Sequence, residues 1–200
     1  MNVQQVLLLL NPRHPVAAED MRDVQRMHVR TCRMVGTSRA DARLLWRLLW
    51  RIDGRILLVQ AARRIDLSEL PDGYARLIEQ RDVPLDWQRG AVVRWELVAN
   101  PTKCEPRTKR RIGLSDPDAC ADWIESRLPK AGLRPTRIDV WQLPLGRGCH
   151  PRGDLVVGRW LFRGIAVVDD PEALAKALVN GIGKAKAYGA GLLTVEELQP

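Results

Sequence analysis

Residues 181–191 set four glycines, Gly181, Gly183, Gly189 and Gly191, around two lysines, Lys184 and Lys186. Glycine lets the backbone approach a ligand closely, and successive amides beside two ammonium groups make a cradle for a phosphate chain. The same pattern also serves as a helix C-cap followed by a turn. It is not a Walker loop, because no glycine stands five residues before Gly183 and Ala185 takes the place of the magnesium-holding Ser or Thr. A dinucleotide fingerprint would need glycine at Lys186 and a preceding strand. The second chemical candidate is His28, which falls within the apolar arc of an expected helix beside Met21, Gln25 and Cys32 and is therefore half in the core. An imidazole placed there is either a general acid or base or a packed side chain. His14 lies in a proline-flanked loop and His150 in a Gly- and Arg-rich turn, which makes both weaker candidates.

Basic residues cluster in two further places. Lys103, Arg107, Lys109, Arg110 and Arg111 fall within nine residues, and Arg147, His150, Arg152 and Arg159 fall in or beside an expected hairpin over 145–155. A basic two-stranded finger can enter an RNA groove and touch phosphates without reading bases. Its plain alternative is a solvated loop. The net charge of +8 favours a polyanionic partner, nucleic acid first. Of the 32 basic residues 26 are Arg, whose planar fork suits phosphate, although a genome-wide residue bias would enrich Arg as well. The single Phe162 makes no pair of stacking aromatics of the kind that holds single strands on an open sheet. Cys32, Cys104, Cys120 and Cys149 show no CxxC spacing, so we expect neither a metal site nor any other cofactor, in a reducing compartment. No stretch is long and apolar enough for a membrane span, and 6–10 is too short for a signal peptide, so the expectation is a cytoplasmic protein without a membrane partner.

These residues need elements to carry them. The apolar run 3–10 predicts a buried strand, and the three-and-four recurrence over 17–35, closed by Gly36, predicts one helix bearing Gln25 and His28. Segments 44–52 and 55–61, separated by Asp53 and Gly54, predict a hairpin. A weak helix over 67–81 and a fourth strand over 91–99 would complete strand, helix, strand, strand, helix, strand. The second half predicts a helix over 116–128, strands over 136–143 and 155–168, a helix over 171–179 and a last strand over 192–195. Its first strand is missing unless 91–103 serves both halves. The expected class is α+β, two tandem ferredoxin-like (RRM-like) domains, each an antiparallel sheet with helices on one face. The expected boundaries are 1–99, a basic linker over 100–114, and 115–200.

With these segments placed, residues 181–193, Met27 and His28, residues 99–103, and residues 162–164 together resemble the CasE family, the CRISPR RNA-processing endoribonucleases of type I-E systems. The resemblance covers essentially the whole chain. It implies an endoribonuclease that binds the hairpin of CRISPR repeat RNA, cuts at its 3′ base, and stays on the mature crRNA with the other subunits of the Cascade antiviral complex. It also puts the family's active-site histidine at His28. Gln25 stands where relatives often carry tyrosine, and Arg159 is the nearest match to a supporting cation. The implied reaction is attack by the RNA's own 2′-hydroxyl, giving a 2′,3′-cyclic phosphate and a 5′-hydroxyl without a metal. Here Gln25 would orient the hydroxyl, and Lys184 or Arg159 would stabilise the transition state. The alternative is a non-catalytic subunit that caps the RNA hairpin, with His28 merely packed.

Overall fold

The computed structural model describes residues 2–51, 54–151 and 153–198. The chain divides into two compact units: Met1–Val83 with Gly146–Val157 and Lys186–Gly189, and Pro84–Leu145 with Gly158–Ala185 and Ala190–Pro200. This division differs from the expected domains 1–99 and 115–200, for reasons visible in the strand pairing.

The first unit opens with β1 (Gln4–Leu10), followed by two helices, α1 (Pro15–Arg22) and α2 (Val24–Met34), and a short α3 (Arg39–Ala42). Then come the antiparallel strands β2 (Leu45–Arg51) and β3 (Gly54–Ala61), so the hairpin expectation holds, although Ile52 and Asp53 of its turn lie outside the described residues. The fourth strand is β4 (Ala75–Asp82), not 91–99. The helix expected over 67–81 is replaced by a single 3-10 turn, Leu67–Glu69, and this strand. Pro71 and Gly73, at φ +73°, turn the chain, with Tyr74 N–H donating to Pro71 O at 3.0 Å. Pairing with the open side of β1, from Gln4↔Asp82 to Leu10↔Ala75, then outweighs the local helix preference. The sheet order β2-β3-β1-β4 is that of a ferredoxin-like fold. Its core joins Val6, Leu8 and Leu10 of β1 to Met27 and Met34 of α2 and to Trp46, Leu57 and Val59. Fully burying each such side chain contributes about 1.5–3 kcal/mol.

The helix expected over 17–35 is broken at Asp23, which is extended at φ −127° and ψ 111°. The carboxylate of Asp23 accepts from the amides of Gln25 and Arg26 and so starts a second helix. Glu19 and Asp20 lie in the later part of α1, which is capped by His14.

The second unit supplies its own first strand, β5 (Val92–Ala99). It is followed by the hairpin β6 (Thr102–Cys104) and β7 (Arg111–Gly113), α4 (Pro117–Glu125), the long strands β8 (Leu133–His150) and β9 (Gly153–Val168), α5 (Pro171–Asn180) and β10 (Leu193–Glu197). The order β10-β5-β9-β8 repeats the ferredoxin-like topology. The segment expected as a linker over 100–114 is thus an antiparallel hairpin inside this unit, with Lys103 paired to Ile112. Where β8 and β9 run past the second sheet, their tip over Gly146–Val157 belongs to the first unit.

Candidate active site and nucleic-acid interface

Gln25 and His28 are one helical turn apart on α2, and the cap at Asp23 sets where that helix begins. Together with Val29, Cys32, Arg33, Gly36 and Glu69 they line an open depression of about 550 Å³. The structure therefore brings both expected catalytic residues to one place. The Cys32 thiol lies 3.6 Å from His28 Nδ1 and 3.9 Å from Nε2, flanking the ring. Partial burial, and then the positive charge of Arg39 at the start of α3, hold the His28 imidazole below its ordinary value of 6.5. It is therefore mostly neutral at physiological pH and able to accept a proton. Burial raises the Cys32 thiol, which stays protonated. Gln25 has a buried side-chain Oε1 with no hydrogen-bond partner. An unmet buried polar atom costs about 1–3 kcal/mol, so this amide is ready to receive a ligand group.

Two residues of the site were not singled out in the sequence. Tyr188 sets its ring against His28, and Arg39 supplies the nearby charge. Tyr188 sits inside the glycine-rich segment, in the 3-10 turn Lys186–Tyr188, and its pairing with a helix so distant in sequence leaves no local signal.

The glycines of that segment have packing roles. Gly181 ends α5 at φ +70°, and Gly191 N–H donates to Val98 O at 2.6 Å. A Cβ on Gly183 would lie 3.2 Å from the Trp123 ring, and one on Gly189 would lie 2.6 Å from Trp46, both at positive φ. The turn is further fixed by Trp46 Nε1 donating to Ala187 O at 3.0 Å. Lys184 is exposed and its backbone bridges to Asn100, while Lys186 is partly buried.

Of the basic candidates, Lys103, Arg107, Lys109, Arg110 and Arg111 are all exposed on the β6–β7 hairpin. Its loop is tied by Lys109 N–H donating to Glu105 O at 2.9 Å, with Lys109 at φ +56°. Arg147 is exposed near the β8–β9 tip and Arg152 lies outside the described residues. Arg159 donates twice to Pro144 O, at 2.9 and 2.8 Å. Among the described residues no helix is long and apolar enough to cross a membrane, and no three His, Cys, Asp or Glu side chains gather as metal ligands would.

A family described as CRISPR associated protein matches residues 6–197. The chain is 31% identical over 209 aligned residues to the CRISPR-associated endoribonuclease Cse3 of Thermus thermophilus, covering 94% of this chain and 97% of that one. It superposes on a structure of Cse3 bound to a 19 nt RNA with a TM-score of 0.89 at 29% identity, covering 98% and 99% of the two chains. A structure of Thermus thermophilus Cse3 with an RNA representing a pre-cleavage complex gives a TM-score of 0.87 at 31% identity, covering 98% and 100%.

Proposed function

The chain belongs to the CasE (Cse3) family of CRISPR-associated proteins, and from that premise we propose that it is an endoribonuclease that cuts CRISPR repeat RNA at the 3′ base of its hairpin. The observation that carries the proposal is the partly buried imidazole of His28, its pKa held below 6.5, on the same helix face as Gln25, whose buried Oε1 has no hydrogen-bond partner. The protein acts in the cytoplasm and remains on the mature crRNA with the other Cascade subunits.

The RNA supplies the nucleophile. His28 takes the proton of the 2′-hydroxyl as its oxygen attacks the adjacent phosphorus. The bond from phosphorus to the 5′-oxygen breaks and that oxygen takes up a proton, leaving a 2′,3′-cyclic phosphate and a 5′-hydroxyl. General-base help of this kind is worth about 10²–10⁴ in rate. The Gln25 amide, which can present either arm, donates to the hydroxyl oxygen and leaves its proton facing His28. Arg39 stands near enough to influence the imidazole and can offset charge on the phosphorane-like transition state. Lys184 and Arg159 remain further candidates for that role. The exposed cations of the β6–β7 hairpin, Arg147 near the β8–β9 tip, and Lys186 hold phosphates, and Arg152 remains a further candidate from the sequence. Binding through them recognises hairpin shape and weakens steeply with salt.

A repeat hairpin with a single 2′-deoxy nucleotide at the cut site tests the proposed nucleophile. It should bind as tightly as the all-ribose RNA and resist cutting. Cutting of the deoxy substrate at an unchanged rate would contradict the mechanism, and tight binding of the all-ribose RNA without cutting would favour a hairpin-capping subunit.

A further inference from the structure

The residue that starts the His28 helix uses both of its carboxylate oxygens. Asp23 Oδ1 accepts from Gln25 N–H at 2.7 Å and from Arg26 N–H at 3.0 Å, while Oδ2 accepts from the backbone N–H of Cys149 at 3.0 Å. The first two bonds are an ordinary helix cap. The third reaches the tip of the β8–β9 hairpin. Gly148 makes this approach possible, because a Cβ there would lie 2.7 Å from Asp23 Oδ1, 3.0 Å from Gln25 N and 3.3 Å from Val24 Cγ2. The backbone of Gly148 is not in the left-handed region, so contact with the helix, and not conformation, excludes a side chain. Arg147 and His150 flank the contact on the hairpin, and Gln25 and His28 follow it on the helix.

We infer that Asp23 and Gly148 form a joint that sets the hairpin tip in register with the His28 helix, so that phosphates held by the hairpin meet the imidazole at the right place. Both are positioning residues, and neither touches the reacting atoms. The inference rests on the ribonuclease reading. Its physical basis is that displacing a substrate by about 1 Å can cost about 10²-fold in rate while its binding contacts survive. A cap alone would stabilise the helix by about 1 kcal/mol and leave the hairpin independent of it.

Two substitutions separate these roles. Asp23→Asn keeps a capping oxygen, since Asn caps about as well as Asp, but replaces the second acceptor with an NH2 that cannot receive Cys149 N–H. Gly148→Ala opens the joint from the hairpin side and leaves the cap residue in place. Single-turnover cleavage of repeat-hairpin RNA, the dissociation constant of its 2′-deoxy analogue, and the melting temperature are measured for wild type, both variants and the double variant. Each single variant should cut about 10²-fold more slowly with affinity changed by less than about threefold, and the double variant should lose little more, because all three break one joint. Cutting within about threefold of wild type, or rate and affinity falling together with the melting temperature, would overturn the inference, as would fully multiplicative losses in the double variant. If wild type cuts and the variants cut equally well, only the joint is wrong. If wild type binds without cutting, the ribonuclease reading falls and the joint with it.

Discussion

The ring of Tyr188 meets the ring of His28 edge-on, with centroids 6.0 Å apart and planes at 75°. The turn Lys186–Tyr188 thereby packs against α2, held by the Trp46 bond to Ala187 and by the close packing of Gly189 on Trp46. An edge contact of this kind is worth about 0.5–1.5 kcal/mol, and it also keeps water from one side of the imidazole. In the Tyr188→Ala variant the His28 pKa should rise toward 6.5, whereas Tyr188→Phe should leave it where it is. NMR titration of the His28 ring in both variants measures this directly, and an unmoved pKa in Tyr188→Ala would remove Tyr188 from the site.

Arg39 offers a second handle on the same group. Its charge disfavours the imidazolium, so Arg39→Gln should raise the His28 pKa toward 6.5. If His28 acts as a base, cleavage rises with pH through that pKa and then levels. The variant's rising limb should therefore lie at higher pH, with the larger loss at about pH 6 and a smaller one at about pH 8. The pH profile of single-turnover cleavage reports it. A limb that moves to lower pH would show that Arg39 acts on another group.

Elsewhere in the first unit, Asp20 is buried at 2% exposure and accepts from Arg30 Nε at 2.9 Å, Tyr74 OH at 3.0 Å and Arg26 Nε at 3.3 Å. Burial, reinforced by Asp20, raises the Tyr74 hydroxyl so that it remains a proton donor. Asp20→Ala would strand the Arg30 guanidinium, whose side chain is 11% exposed, and should cost about 3–5 kcal/mol. Glu19→Ala, which removes only the exposed partner of Arg26, should cost less than about 1 kcal/mol. Urea unfolding of the two variants checks the contrast.

The split βαβ pattern was legible in the sequence because apolar periodicity and the turn at Gly54 are local signals. The break at Asp23 was not, since Met21, Val24 and Met27 keep helical spacing across it and only the cap bonds reveal a new start. Residues 75–82 carry helix-favouring side chains, and the need of β1 for a second partner makes them a strand. Residues 92–99 read correctly as a strand, but their sheet is chosen by β9 and β10, far along the chain. At the site, Gln25 and His28 could be found because they share one helix face. Tyr188, Arg39 and the Asp23–Gly148 contact could not, because nothing local marks side chains that meet only after folding. The glycines read as a phosphate cradle turn out to be shaped also by Trp46 and Trp123, which no spacing rule connects to them.

The role of His28 as the base is tested by incubating the purified protein and its His28→Ala variant with repeat-hairpin RNA in EDTA and identifying the fragment ends. Wild type should yield one product with a 2′,3′-cyclic phosphate and one with a 5′-hydroxyl, and His28→Ala should bind with similar affinity but cut about 10²–10⁴ more slowly. Equal cutting by both proteins would contradict that role and place the chemistry away from His28.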